Sequence, residues 1–381
     1  MNVISRSRGD APLWSQALCT PAAFDHEQTK LGRYWTLLGL TTDLPNDGDW
    51  FRTSLGGRSV FVQRFGEDLR GFENVCAHRF YPLRTGERGN GPIRCGFHHW
   101  QYNEDGLAVG VPQCGEMFRV SPRDLNARLR PLDIATCGIL IFGRFAPDDG
   151  ESLQDYLGPG FPILQAMWSA TREPWADRFD IAANWRFGYH ISLDDYHLVA
   201  VHPSTFGRSG YLAPDTVQYY RFGRHSAYFH GADSTALTTM ADACAKGVYS
   251  PPDYRIFQFF PNLIAVHFEA ARHWFVLIQQ YQPVAFDRTL LRSWFAPAPF
   301  PPPKIDGGLS RLAHRVAGLA LPYVIPFYMR RINGEDIAIC ERNQTTAAQI
   351  ERPPRLGRHE ERIAWFEEAY AQAVHGVDDR Q

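Results

Sequence analysis

The sequence of 381 residues lacks any run of 18 or more apolar residues, so no segment has the composition of a membrane-spanning helix. The first residues, MNVISRSRGDAPLWSQ, lack the apolar core of a secretory signal, and we expect none. The net charge of −2 argues against nucleic acid or an anionic membrane as a partner. Seven cysteines, an odd number in a long chain, argue against a disulfide scaffold, so we expect a protein of the reducing cytoplasm.

The composition does provide enough apolar material for two domains, with 44% hydrophobic and 14% aromatic residues. Short runs rich in β-branched and aromatic residues, separated by turn-forming residues, predict an all-β domain over residues 33–148. A linker with one amphipathic helix is predicted over 149–173, and a second strand-rich region near 215–296. After a proline-rich connector at 296–304, GEDIAICERNQTTAAQ and RHEERIAWFEEAYAQAV have the apolar spacing of helices.

Two short Cys–His motifs in the predicted all-β domain give the strongest chemical signal. Cys76 and His78 have one residue between them, and Cys95 and His98 have two. Such donors can bind zinc or a [2Fe–2S] cluster. Zinc fingers usually pair Cys with Cys and His with His, whereas one of each per loop suits a cluster with two Cys on one iron and two His on the other. A zinc site and chance spacing are the alternatives. The spacing selects His98 over His99, which we expect to support the ligands or lie at the surface.

A second candidate metal site lies in the stretch NWRFGYHISLDDYHLVAVHP at residues 184–203. Asp194 and His197 are three residues apart, so on a helix their side chains would share one face. His202 precedes a proline, so we expect it where a helix ends or bends. Two imidazoles and a carboxylate from elsewhere would form the facial triad of a non-haem Fe(II) oxygenase. On this stretch alone, ordinary surface or core histidines are the more frequent interpretation.

Together the motifs resemble the oxygenase (alpha) subunit of a Rieske non-haem iron oxygenase, in the aromatic-ring-hydroxylating dioxygenase family, over almost the whole chain. The resemblance implies a [2Fe–2S] cluster held by Cys76, His78, Cys95 and His98. It also implies a mononuclear Fe(II) held by His197, His202 and the late Asp336. In the family, an acid three residues before the first iron histidine bridges the two metal centres, and Asp194 stands there. The alternatives are a helix-start acid for Asp336 and a solvated acid for Asp194, a role that Asp195 fits better.

The sequence departs from the family pattern at three positions. Phe80 and His99 stand where relatives usually carry glycine in the two cluster loops, which places bulk near the cluster. His190 stands four residues before Asp194, where relatives often carry Asn or Glu. It is therefore a candidate for an extra ligand, or for a polar group beside the iron ligands.

The resemblance implies an α+β fold, with a small all-β Rieske domain over 33–148 and a catalytic domain over 149–381 in which helices flank an antiparallel sheet. Residues 1–32 would pack on the catalytic domain. The implied protein is a homotrimeric oxygenase that uses O2 to hydroxylate or demethylate a small aromatic or apolar substrate. The chain has no G-x-G-x-x-G in a βαβ setting, so electrons must come from a separate NAD(P)H-dependent reductase or ferredoxin. Three alternatives are cis-dihydroxylation, a non-catalytic Rieske electron carrier and a zinc-stabilised binding module.

Overall fold

The computed structural model describes residues 18–145, 150–169, 174–203, 217–230, 236–300 and 307–376. Several predicted segments lie partly outside the described residues: the N-terminal segment, the linker, the second strand-rich region and the proline-rich connector. The chain divides into two compact units, one of them Gln28–Leu153 and the other Met1–Glu27 with Gln154–Gln381. The domain boundaries predicted at residues 32 and 148 stay predictions.

The smaller unit, Gln28–Leu153, is mainly β-structure. Its strands are β1 Thr36–Leu40, β2 Asp49–Leu55, β3 Arg58–Phe65, β4 Asp68–Glu73, β5 Arg88–Asn90, β6 Ile93–Arg94, β7 Gln101–Tyr102, β8 Ala108–Gly110, β9 Pro131–Cys137 and β10 Leu140–Arg144. They form an antiparallel sheet of order β1-β10-β9-β4-β3-β2-β5 and a small sheet of order β6-β7-β8. Helix α1 spans Pro21–Leu31, and the short helices α2 and α3 span Cys114–Phe118 and Pro122–Leu125.

Two apolar cores stabilise this unit. One lies around Leu38, Phe51 and Val62 of the larger sheet. The other includes Phe61 and Trp100 and extends to the two cysteines of the Cys–His motifs. The first motif follows β4 and the second connects β6 to β7, so both loops begin at a strand end and are anchored in the same core.

The larger unit is organised around a second antiparallel sheet, of order β11-β17-β16-β15-β14-β13-β12. Its strands are β11 Trp175–Ile181, β12 Val217–Phe222, β13 His225–His230, β14 Arg255–Phe259, β15 Leu263–Ala270, β16 His273–Ala285 and β17 Arg288–Pro297. Its helices are α4 Leu153–Leu157, α5 Gly160–Met167, α6 Trp185–Ile191, α7 Leu198–Val201, α8 Ala236–Ala245, α9 Gly308–Thr346 and α10 Glu361–His375. The predicted α+β fold class is confirmed.

Two predictions of local structure were wrong. The linker contains two short helices, α4 and α5, because the chain turns at Gly158 with φ +51°. The segment GEDIAI is not a helix start, because α9 begins at Gly308 and passes through Pro322, Pro326 and Gly334 without a break. Asp336 therefore lies inside a 39-residue helix. Within the described residues, no helix has the length and hydropathy to cross a bilayer.

Candidate metal sites

The two Cys–His loops of the smaller unit have the same backbone turn. In the first, Cys76 N–H donates to Tyr81 O at 2.9 Å, and Phe80 N–H donates back to Cys76 O at 3.0 Å. In the second, Cys95 N–H donates to the carbonyl of Trp100 at 2.8 Å, and the amide of residue 99 donates back at 3.1 Å. Each turn therefore closes on its own cysteine and encloses the histidine of its motif.

These turns explain the departures at Phe80 and His99. Both residues have left-handed backbone geometry, with φ of 60° and 59°. Glycine adopts this region without steric cost, whereas a residue with a Cβ does so at about 1–2 kcal/mol. The glycine of relatives therefore suits the turn, and this chain keeps the turn with strained residues. Both side chains are exposed.

The four donors of these loops suit a two-iron cluster. The rings of His78 and His98 lie 4.7 Å apart, and both Nδ1 atoms are buried without a hydrogen-bond partner. Burial, with His98 and Arg79 nearby, lowers the pKa of His78, which favours the neutral ring that can donate a lone pair. Burial also raises the pKa of the Cys95 thiol, so a cation is needed to hold the thiolate. Unpaired nitrogens and closely spaced sulfurs at one end of the unit fit a Rieske cluster.

Two aromatic residues of the second loop complete the surroundings of this cluster site. Trp100 stacks on His78 with ring centroids 4.6 Å apart and planes 3° apart. Tyr102 Oη lies 3.0 Å from Cys76 Sγ and accepts a hydrogen bond from Ala77 N–H at 3.1 Å. Because the Tyr102 hydroxyl oxygen accepts this bond, the hydroxyl proton is free to point at the Cys76 sulfur. Sequence reasoning missed this contact of Tyr102 with the first motif. The alternation Trp100-x-Tyr102 directly after the motif was the available signal.

In the larger unit, a short helical segment positions both iron-site histidines. His197 is the N-cap of α7 and His202 is its C-cap, as expected for a residue before proline. The expectation that Asp194 shares a helix with His197 was wrong. Asp194 lies in the turn between α6 and α7, where its Oδ1 accepts hydrogen bonds from Tyr196 N–H at 2.6 Å and from His197 N–H at 3.2 Å. Such Asx geometry competes with helical backbone bonds, and the N-cap of α7 follows three residues later.

Asp336 on α9 meets these histidines. His202 Nε2 lies 2.9 Å and His197 Nε2 lies 3.6 Å from Asp336 Oδ1. That oxygen is buried, yet it accepts no properly oriented hydrogen bond. All three donor atoms lie within 4.8 Å of one another, the one such group among the described residues. Three ligand atoms this close to one another fit a single metal ion.

The electrostatics of the group favour a cation. Burial would lower the pKa of His197, but Asp194 and Asp336 outweigh it and raise the pKa to about 9. His202 behaves in the same way, since Asp336 and Glu335 together overcome burial and raise its pKa. Burial acts to raise the pKa of Asp336, but the two histidines lower it. Carboxylates that stabilise a proton on each ring also stabilise a divalent ion in its place.

Each histidine has a carboxylate behind it. Glu335 Oε2 lies 2.8 Å from His202 Nδ1. Asp194 Oδ2 lies 3.6 Å from His197 Nδ1, which is beyond hydrogen-bond length. Sequence reasoning missed the role of Glu335 behind His202. Glu335 directly precedes Asp336, so one turn of α9 places a carboxylate at each ring nitrogen of His202.

Asp195 is not a solvated acid, and that expectation was wrong. Its side chain is 3% exposed. Both carboxylate oxygens accept a hydrogen bond from Arg362 at 3.0 Å, and Oδ2 also accepts one from the Tyr219 hydroxyl at 2.8 Å. A buried carboxylate needs such a partner, and the partner comes from α10, far along the chain. Neighbouring acids at 194 and 195 thus point to opposite sides of the turn.

His190 lies outside the three-residue donor group. Its Nε2 lies 2.7 Å from Glu367 Oε1, and Arg186 also forms an ion pair with Glu367. Burial acts to raise the pKa of Glu367, but Arg186 and His190 lower it to about 2. His190 therefore belongs to a buried ion-pair network between α6 and α10. A direct role at the iron stays a prediction.

Two polar pairs join strand β16 to the segments that carry the iron-site residues. Gln279 Nε2 donates to Asn333 Oδ1 at 2.9 Å, and Asn333 is one helical turn before Asp336. Tyr281 Oη lies 2.7 Å from Ser192 Oγ in the turn before His197. Residues 279 and 281 of β16 therefore lie between both halves of the site. Sequence reasoning missed these residues, because an isolated amide or hydroxyl in an apolar strand has no distinctive pattern.

The comparisons with known proteins agree with this division. The model of the Rieske [2Fe–2S] domain matches residues 34–126, and the model of the ring-hydroxylating alpha subunit catalytic domain matches residues 169–376. The large subunit of anthranilate 1,2-dioxygenase from Burkholderia cepacia is 27% identical over 262 residues, which cover 62% of this chain and 57% of that protein. The chain spans about half the length of the curated relatives it matches.

Solved structures share the fold. Naphthalene 1,2-dioxygenase from Rhodococcus sp., bound to indole, is 20% identical with a TM-score of 0.69 and covers 94% of this chain and 93% of its own. A quaternary ammonium Rieske monooxygenase in complex with L-carnitine is 18% identical with a TM-score of 0.68, and covers 94% of each chain. A Rieske domain implies a [2Fe–2S] cluster and this type of catalytic domain implies a mononuclear iron, and the donor sets fit both. Because the catalytic-domain model alone matches more than half of the 381 residues, the chain belongs to the ring-hydroxylating oxygenase alpha subunit family, with a Rieske domain before its catalytic domain.

Proposed function

We propose that this chain is a terminal oxygenase component. It uses O2 and electrons from a separate NAD(P)H-dependent reductase or ferredoxin to hydroxylate or oxidatively demethylate a small organic substrate. The convergence of His197, His202 and Asp336 carries the proposal, because a pure electron carrier has no use for it. When bound, the [2Fe–2S] cluster supplies single electrons and the mononuclear iron supplies the chemistry of O2 activation.

In this proposal, Cys76, His78, Cys95 and His98 hold the cluster and the triad holds the iron. The contact of Glu335 with His202 Nδ1 fixes the ring so that Nε2 faces Asp336. Asp336 offsets part of the cationic charge. Three protein donors leave other positions around the ion open to O2 and to the substrate.

The substrate is proposed to be apolar or aromatic with a hydrogen-bonding group. Alternation along β16 places the buried Phe275 and Leu277 on the same face as Gln279 and Tyr281. Such a face excludes water and offers a few fixed polar groups, which is the usual composition of a small-molecule site. Relatives named for anthranilate and for quaternary ammonium compounds make both classes reasonable members of a substrate panel.

Asp194 is the proposed electron-transfer bridge of a homotrimer. Its Oδ1 is engaged by backbone amides, whereas Oδ2 faces His197 Nδ1 and the side chain is 18% exposed. It is thus placed to accept a further hydrogen bond, proposed to come from His98 of the partner subunit. A head-to-tail ring of three copies would provide that contact. A cytoplasmic location is proposed with it, since reduced cysteines and a Rieske cluster suit a reducing compartment.

The test is product analysis with ¹⁸O2, a surrogate reductase and a panel that includes anthranilate, naphthalene, indole and L-carnitine. Incorporation of one ¹⁸O atom supports monooxygenation, loss of a methyl as formaldehyde supports demethylation, and two ¹⁸O atoms in a cis-diol would favour the dihydroxylating alternative. Reduction of the cluster without O2 uptake across the panel, even with the iron bound, would favour the non-catalytic electron carrier.

A further inference from the structure

The N-terminal half of α9 exposes an apolar face that the proposed chemistry does not use. Its exposed members recur every three or four residues, which places them on one side of the helix. They are Leu312, Val316, Leu319, Tyr323, Val324 and Phe327. The most exposed are Leu319 and Phe327, at 76% and 75%. Surface hydrophobic residues are ordinary when scattered, but a continuous stripe of this kind marks an interaction surface.

The opposite side of the same helix is fixed to the sheet. His273 Nε2 donates to His314 O at 2.9 Å, and the two rings stack with centroids 3.7 Å apart. Gly318 permits this approach, because a Cβ there would lie 2.7 Å from His273 Cε1. Farther along the same side as His314, Ile325 is buried. The apolar stripe is therefore the outer face of a docked helix.

The segment that carries the stripe contains arginines but no acids, and this charge bears on which kind of partner the stripe fits. From Gly308 to Gly334 the sequence contains no Asp or Glu, and the apolar run 316–329 has Arg315 before it and Arg330 and Arg331 after it. A protein surface presents charges of both signs to a partner, whereas an anionic bilayer presents phosphates on all sides. Asp177 and Glu335 offset Arg330 and Arg331, whereas Arg315 is exposed and has no acid in its segment. An apolar stripe with no acid in its own segment and an exposed arginine at its start fits anionic lipid.

The length of the run fixes how it would lie. Fourteen residues of helix extend about 21 Å at 1.5 Å per residue, which is shorter than the hydrocarbon core of about 30 Å. Exposed Tyr323 adds an aromatic body with a polar tip, as found at membrane surfaces. We propose that the outer face of α9 binds in the plane of an anionic lipid bilayer, with the stripe at the headgroup boundary.

The proposal links a surface to the active centre, because the same helix carries Asp336. An apolar substrate concentrated in the bilayer would then be held near the helix that supplies an iron ligand. The net charge of −2 did not reveal this surface, because acids elsewhere in the chain balance the arginines of this segment.

The test is flotation of the purified full chain with vesicles of phosphatidylglycerol and phosphatidylcholine, compared with phosphatidylcholine alone. The wild type is expected to bind the anionic vesicles at least tenfold more strongly. Replacing both Leu319 and Phe327 by Glu should weaken this binding at least tenfold. Arg315→Gln should weaken it about fivefold, the loss expected for one cation near an anionic surface. The matched control is Val248→Glu, at a site 70% exposed in the same unit, which should bind as the wild type does.

Three results would overturn the proposal. One is a wild type that floats with neither vesicle. Another is equal loss of binding in the control and in the double variant. The third is a wild type that ignores vesicles while the double variant dissociates an oligomer in light scattering, since the stripe would then be a subunit contact. The proposal does not depend on oxygenase activity, and iron content reports separately on folding of the helix.

Discussion

The two histidine pairs of this chain have opposite surroundings. In the smaller unit, His78 and His98 have no described carboxylate contact, and burial lowers the pKa of His78. In the larger unit, His197 and His202 each have a carboxylate behind the ring, and their pKa values are raised. In the proposed cluster site, the first pair would share the two irons with thiolates, which already supply negative charge. The second has no sulfur, so carboxylates must supply that charge.

The largest effect on turnover is expected at Asp194. Asp194→Ala should leave both metal groups bound and the cluster reducible, yet lower product formation about 100-fold or more. Loss of a carboxylate behind a metal-bound imidazole costs about 10–100-fold, and here the electron path would be lost as well. The measurement is turnover with the partner reductase, alongside single-turnover reduction of the cluster.

Two other acids of the same unit serve as controls for this prediction. Asp180→Ala, at an exposed carboxylate of the same unit, should change nothing. Asp195→Ala should instead lower the free energy of unfolding by about 3–5 kcal/mol, because it leaves Arg362 buried without its partner. Near wild-type turnover in Asp194→Ala would contradict the proposed bridge.

The next effect concerns Glu335. Glu335→Leu should weaken Fe(II) binding by about 10–100-fold, because His202 would lose the acceptor that orients its ring. Glu335→Gln keeps an acceptor and should lose less. Iron affinity measured by competition with a chelator checks this, with exposed Glu351→Leu as the control. Equal affinity in all three variants would show that the carboxylate behind His202 is dispensable.

A smaller effect is expected at the cluster. Tyr102→Phe should lower the reduction potential of the cluster by about 40 mV, equivalent to about 1 kcal/mol for one electron, because a hydrogen bond to Cys76 sulfur favours the more negative reduced state. Redox titration followed by EPR measures the shift. Tyr81→Phe, in the first loop, is the matched control. An unchanged or higher potential in Tyr102→Phe would mean that the hydroxyl proton points elsewhere.

The smallest effect concerns the strained turns. Phe80→Gly should raise the free energy of unfolding by about 0.5–1 kcal/mol, since the relief of left-handed geometry exceeds the entropy cost of glycine. Arg79→Gly, one residue earlier and outside the left-handed region, should lower it. Denaturant unfolding followed by loss of cluster absorbance measures both. A destabilised Phe80→Gly would indicate that the exposed ring makes contacts worth more than the strain.

The proposed cluster ligands could be named from the sequence because they are local. Cys76 to His98 span 23 positions, each loop closes on its own cysteine, and the strands around them have the expected composition. The iron site is different, because Asp336 and Arg362 come from distant helices. Family resemblance supplied Asp336, but nothing local showed that α9 continues through Gly334 or that Asp195 has a buried partner. Long-range packing decided both points.

The most direct test of the central claim, that this chain holds two separate metal groups, is iron and acid-labile sulfide per chain in wild type and Asp336→Ala. Samples are purified without air, and EPR of the reduced protein is recorded. The account predicts a Rieske signal with equal sulfide in both proteins, and loss of one iron per chain and of all turnover in the variant. Zinc without sulfide in the wild type, or a variant that keeps its full iron and its turnover, would contradict it.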